Sequence, residues 1–208
     1  WTGSLLNIYD LGQPIERQIE LAKVLLTKKN KIFGSCWGLQ VLATAAGGKI
    51  RKNPIGLEAV IAKDVTLNIK GINHPMYRGK PLKFDSFCWH YDEVEQLPKN
   101  CIILSSNNHS SVQSFSFENN NSEVWAVQYH PEFDPGWISG LMKQRESILL
   151  KEGIYKNKED FDKTFFTLSS VIKSKNFKKN FSISNTLLNF KIHTIELSNW
   201  LENIRINI

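Results

Sequence analysis

Cysteine is scarce in this chain. Cys36, Cys88 and Cys101 lie scattered through 208 residues; this excludes a disulfide scaffold and a zinc cluster, and the odd count leaves at least one thiol free. Such usage fits a reducing, cytoplasmic compartment. Long apolar runs are missing too. None approaches the ~18–20 residues that cross a bilayer, and no basic-apolar-small leader opens the chain. There is no internal repeat. No glycine-rich Ser-Gly-Gly phosphate loop occurs, so no ATP-using synthetase module is legible. The main body also lacks an excess of one charge: of the formal +6, residues 1–150 carry +2 and residues 151–208 carry +4. The tail lysines Lys173, Lys175, Lys178 and Lys179 are interleaved with Asn, Ser and Phe, as in a solvated face. We therefore expect neither a nucleic-acid nor a membrane partner.

What is present suits one α/β domain with an appendage. A hydrophobic content of 41% with 22% charged residues is ordinary for a globular protein able to bury about 70% of its unfolded surface. We expect a domain over residues 1–150 and a helical C-terminal extension over 151–208. Ile15, Ile19, Ala22, Leu25 and Leu26 recur at helical spacing behind Pro14, which suits a first helical turn. Lys31-Ile32-Phe33 reads as a buried strand running into Gly34-Ser35-Cys36-Trp37-Gly38. A second helical pattern then continues to Gly47-Gly48.

From residue 50 to 130 the texture is strand-like: Leu57–Ala62, Val65–Ile69, Leu82–Phe87, Ile102–Ser105, Val112–Glu118 and Glu123–Tyr129. The turn cluster at 119–122 makes a hairpin of the last two. Helical patterns return after Pro135, with a stripe of Trp137, Leu141, Ile148 and Leu149, then over about 157–174, and at Ile195–Ile204.

Gly34-x-Cys36-x-Gly38 places a cysteine on a strand-to-helix turn between small residues, the arrangement that presents a nucleophile above a sheet. Unpaired N–H groups and the dipole of a helix start favour thiolate over thiol there. The Trp37 N–H could then donate to an oxyanion. A thiolate acting on a carbonyl needs a partner that holds the proton and returns it to a leaving group. His130 is a candidate because Pro131 keeps it extended at a strand end, and Glu132 can point to the same side to fix the imidazole. Either half alone has a plain structural reading: a buried packing thiol, which suffices for Cys88 and Cys101, or a surface His–Glu hydrogen bond. Together they are far more specific.

At these residues the sequence resembles the class I glutamine amidotransferases. Gly34-Ser35-Cys36-Trp37-Gly38-Leu39-Gln40 resembles the family's nucleophile segment, and Trp125 to Glu132 its His-x-Glu segment. Thr2-Gly3-Ser4 looks like the glycine loop that supplies the other oxyanion donor. Phe87 to Val94 looks like the stretch that holds the amino-acid end of glutamine, with Trp89 where the family usually has Ser. The likeness covers roughly residues 2–150 and is greatest to stand-alone relatives of the amidotransferase domain of GMP synthase.

The resemblance implies a flavodoxin-like, mostly parallel sheet with an antiparallel extension. It further implies Cys36 as nucleophile, His130 as acid/base, Glu132 orienting His130, and N–H groups of Gly3 and Trp37 in the oxyanion hole. Gly3, Ser4, Gln40 and the backbone near Trp89 and His90 would hold glutamine. No metal or organic cofactor is needed, and an ammonia-accepting synthetase chain would be a partner. A γ-glutamyl amide or peptide hydrolase with the same triad, and a catalytically inactive binding module, are the alternatives. Family members place a strand–helix unit before the glycine loop, whereas this sequence opens on Trp1 at that loop. An N-terminally incomplete sheet with exposed edges and uncovered apolar faces is expected.

Overall fold

A computed structural model describes residues 1–10, 12–119, 122–171 and 183–205. Pro14 sits in the first turn of α1 (Gln13–Leu26), whose Ile15, Ile19, Ala22 and Leu26 are buried on one stripe. Strand β1 (Lys31–Ser35) is buried from Ile32 onward and passes through Cys36 directly into α2 (Trp37–Ala45), a helix buried from Trp37 to Ala43. Four further strands join β1 and the long β3 (Glu58–Leu67): β4 (Lys83–His90), β6 (Ile102–Ser106), β7 (Ser114–Asn119) and β8 (Ser122–Val127). They build a six-stranded sheet in the order β1-β8-β7-β6-β3-β4.

The α/β class stands, but the balance within the sheet differs from the mostly parallel arrangement expected. Among the described strands only β1 and β8 run parallel, in register Phe33↔Trp125 and Ser35↔Val127, and the other pairings are antiparallel. Chain connectivity explains this for β6–β7 and β7–β8. Two residues join β7 to β8 and seven join β6 to β7, too few for the crossover that parallel neighbours require.

Other differences are local. The runs 57–62 and 65–69 form one strand, β3, because residues 63 and 64 make a bulge instead of a turn: the register against β4 shifts between Ala62 and Val65, and Asp64 has φ 56°. A separate two-stranded ribbon, β2 (Lys49–Lys52) with β5 (Asp92–Gln96), had no apolar signal to reveal it. The helix after Pro135 is two helices, α4 (Pro135–Gln144) and α5 (Glu146–Lys151), broken at Arg145 with φ −114° and ψ 20°. Within the described residues the next is α6 (Lys158–Val171), followed by the one-turn helices α7 (Asn185–Leu188) and α8 (Phe190–His193); an earlier single turn, α3 (Ile69–Ile72), follows β3. Asn120, Asn121 and the four tail lysines lie outside the described residues.

Apolar side chains fill three clusters. Helices α1 and α2 pack against one face of β1, β7 and β8. On the other face Phe33, Trp125 and Tyr129 meet Leu197 and Trp200 of α9 (Ile195–Arg205). Sheet apolar surface behind β1 is therefore covered, contrary to expectation, by a helix far along the chain. The third cluster packs β3 and β4 against α4, α5 and α6. At the sheet margins, Trp1 N donates to Phe33 O and Ser35 N to Trp1 O, both at 2.9 Å. Beside β4, the Thr186 hydroxyl bonds both the N–H and the C=O of Asp85. Apolar exposure persists on the outside of α1 at Leu21 and Val24.

Candidate active site

No residue separates β1 from α2 except Cys36, which takes φ 52° and ψ −105°. A side chain in that region costs on the order of 1–3 kcal/mol, so the surroundings must impose it. They do so through glycines. A Cβ on Gly34 would stand 2.7 Å from the carbonyl carbon of Gly38, and one on Gly38 would stand 2.6 Å from Trp1 O. Strand, helix and the 1–4 segment thus touch backbone to backbone. Trp37 opens α2, where its N–H has no intrahelical acceptor.

β8 ends at Val127, and two further residues carry the chain to His130. His130 is fixed by its N–H to Phe87 O at 2.7 Å. Its Nδ1 lies 2.8 Å from Glu132 Oε1, and the Ser35 hydroxyl donates to the same oxygen at 2.8 Å. Ser35 thus ties the carboxylate that holds the imidazole to the turn that carries Cys36. The Phe133 ring lies parallel to the imidazole at 3.8 Å and 3°. Gly3 abuts the imidazole edge, where an added Cβ would stand 2.6 Å from Cε1.

A cavity of about 200 Å³ holds Cys36, Gln40, Trp89, Asp92, Arg145 and Ser4 among its walls. Cys36 Sγ lies 3.5 Å from Trp89 O, so this position meets the thiol through its backbone. The His90 ring turns elsewhere. Its Nδ1 meets Asp92 O at 2.9 Å and its Nε2 meets Glu58 Oε2 at 2.8 Å, within a buried network that includes Asn107 and Gln113.

The structure thus gathers Cys36, His130, Glu132, Gly3, Ser4, Trp37, Gln40 and Trp89 at one place, and His90 borders it while its ring bonds inward. Ser35, Asp92, Arg145 and Phe133 were not singled out from the sequence as site residues. Asp92 was within the segment of interest, but Arg145 lay on what read as an ordinary helix.

A model of glutamine amidotransferase class-I matches residues 9–144. The chain belongs to the class I glutamine amidotransferase family. It is 30% identical to a gamma-glutamyl-L-1-hydroxyisopropylamide hydrolase of a Pseudomonas species, over 98% of this chain and 70% of that protein. It is 31% identical to a GMP synthase of Thermosipho africanus over 49% of this chain and 18% of that enzyme, so it spans under a fifth of the enzyme's length in the matched region. The crystal structure of a glutamine amidotransferase from Thermotoga maritima shares the fold, with a TM-score of 0.71 at 19% identity over 97% of this chain and 75% of that one.

Electrostatics in this amidotransferase-family site couple the three ionisable groups. Burial opposes a charged His130, but the neighbouring Cys36 sulfur and the Glu132 carboxylate outweigh it, and the imidazole is raised to about 9. Burial likewise pushes Glu132 up, while His130 and Ser35 hold it below the usual carboxylate range. Asp92 is raised by burial although the Tyr9 hydroxyl donates to it at 2.9 Å. The Arg145 guanidinium has no hydrogen bond or ion pair among the described residues, although it borders the Cys36 cavity. No group of three His, Cys, Asp or Glu side chains among them could hold a metal ion. None of the described helices is long and apolar enough to cross a membrane.

Proposed function

We propose that this chain hydrolyses the side-chain amide of γ-glutamyl compounds, glutamine being the simplest, with Cys36, His130 and Glu132 as its triad. The observation that carries this reading is the strained Cys36 elbow beside an imidazole already hydrogen-bonded to a carboxylate. Cys36 Sγ, its proton held by His130, attacks the amide carbon as the C=O π electrons move to oxygen. That oxyanion is received by the N–H groups of Gly3 and Trp37. Collapse breaks the C–N bond, and the proton on His130 goes to the departing nitrogen. Water then gives one proton to His130 and its hydroxide to the γ-glutamyl thioester carbon; the C–S bond breaks, glutamate leaves, and Cys36 and His130 again share the proton.

The amino-acid end has complementary groups in the Cys36 cavity. Arg145 matches an α-carboxylate, Asp92 an α-ammonium, and Gln40, Ser4 and the Trp89–His90 backbone offer hydrogen bonds. The Pseudomonas relative, whose name describes hydrolysis of a γ-glutamyl amide, supports the same reaction class.

The test measures glutamate and amine release from glutamine and from γ-glutamyl alkylamides. Cys36→Ala should lower both by ~10³-fold or more, as loss of a nucleophile does. A Cys36→Ala protein that keeps the parent rate would sink the mechanism.

A further inference from the structure

Two cavities meet at the site and share a wall of Ser4, Leu5, Trp89 and Arg145. Cys36 and Gln40 line the first. The second, about 500 Å³, is lined by His130 and Glu132 but by neither Cys36 nor Gln40. This division has a chemical meaning if the proposed reaction holds, on which the following rests. The acyl carbon must reach Cys36, whereas the nitrogen must reach the proton on His130. A substituent on that nitrogen consequently lies on the His130 side.

Ammonia makes little use of such a space. A water-sized molecule needs about 10–15 Å³, and a volume of about 500 Å³ is that of a small-molecule pocket. Trp89, Phe133, Trp137 and Leu141 give it an aromatic and aliphatic side, and Thr2, Ser4, Gln144 and Arg145 stand among its polar walls. Phe133 stacks on the imidazole, and Trp137 stacks on Phe133 at 3.7 Å and 30°, so an apolar surface runs outward from the proton donor. Trp137 is 52% exposed, a large indole with one face unused at the cavity rim. The Glu132 carboxylate on its wall is paired through Oε1 with the His130 imidazole and the Ser35 hydroxyl, so its charge is already matched by a neighbour before a cationic amine arrives. The one guanidinium on the wall is matched to the acyl end.

We propose that this second cavity is a leaving-amine site selecting γ-glutamyl amides of uncharged, apolar amines over glutamine. Trp137 and Leu141 are its specificity-determining side chains.

The experiment compares glutamine with the γ-glutamyl derivatives of methylamine, isopropylamine, benzylamine and phenylalanine. In parallel, their affinity for Cys36→Ala is measured by calorimetry. The expected result is a kcat/KM that rises with the apolar size of the amine, benzylamide exceeding methylamide by ~10-fold or more, since hydrophobic pockets discriminate by such factors. Trp137→Ala and Leu141→Ala should each cut the benzylamide-to-methylamide ratio several-fold. Size-dependent affinity in Cys36→Ala without turnover by the parent would refute the catalytic reading and keep the site. Turnover of glutamine at a rate no larger amine exceeds, with flat affinities, would overturn the site and keep the catalytic reading. A preference for γ-glutamyl-phenylalanine over the benzylamide would also overturn it, by assigning Arg145 to a carboxylate on the leaving group.

Discussion

At the scale of single residues, His130 carries the most specific consequence. Its pKa is raised to about 9 from an ordinary 6.5, with burial opposing the charged form and Cys36 and Glu132 outweighing burial. A raised histidine keeps its proton through neutral pH. Its contribution to stability is complete below about 6.5 and is lost as pH climbs through about 9. In the proposed reaction the same proton goes to the leaving nitrogen, so kcat/KM should fall above about pH 9. Glu132→Gln removes one of the groups that hold the proton. It should move that alkaline limb to lower pH and reduce kcat by ~10²–10⁴-fold; an alkaline limb that stays in place would show that Glu132 does not act through His130. That the Cys36 turn and the His130–Glu132 pair would lie near each other was legible because each sits in a short motif at the end of a strand. Ser35 and Arg145 were not. Ser35 acts through a carboxylate 97 positions away, and Arg145 has local neighbours typical of any exposed helix.

At the scale of elements, periodicity located α1, β1, α2 and most of the large sheet, since each buries one stripe or both faces. It failed where burial is slight or where backbone geometry decides. The Lys-Ile-Arg-Lys strand β2 is mostly exposed, and the apolar stripe Trp137, Leu141, Ile148 and Leu149 runs across the break at Arg145 without a Pro or Gly to mark it. That break brings Arg145 to the Cys36 cavity. Between β1 and α2 the deciding quantity is backbone proximity. Gly34→Ala would force a methyl to 2.7 Å from both the Gly38 carbonyl carbon and Leu42 Cδ1, and backbone cannot give way as a side-chain tip can. Overpacking of this kind costs ~1–3 kcal/mol. Gly140, exposed in α4 with nothing within 4 Å of an added Cβ, is the contrast: Gly140→Ala should stabilise by ~0.5–1 kcal/mol through helix propensity. Urea unfolding of the two variants checks both signs. Equal midpoints would mean that the elbow tolerates a wider strand–helix spacing than its contacts allow.

For the molecule as a whole, the C-terminal helices are tied to the site by buried polar contacts no local pattern announces. Lys80 and Glu196, 116 positions apart, form an ion pair at 2.9 Å with both side chains fully buried. The Tyr129 hydroxyl donates to Glu196 at 2.7 Å, immediately before His130. Lys80 also donates to Ile192 O, and the neighbouring His193 Nε2 lies 2.7 Å from Phe133 O, holding the residue whose ring stacks on the imidazole. In the sequence Lys80 and Glu196 look like ordinary surface charges, because a chain pattern records no partner so distant. Burial lowers the Lys80 pKa and Glu196 opposes that shift, so removing the carboxylate leaves an unmatched buried ammonium. Glu196→Ala should therefore cost ~3–5 kcal/mol, whereas replacing both partners by apolar residues, Lys80→Met with Glu196→Leu, should recover most of the loss. Denaturant unfolding followed by tryptophan fluorescence reads both, since Trp200 and Trp125 line the same cluster. A loss below ~0.5 kcal/mol in Glu196→Ala would place the pair among exposed ion pairs, and the C-terminal helices would then contribute nothing through it to the position of His130.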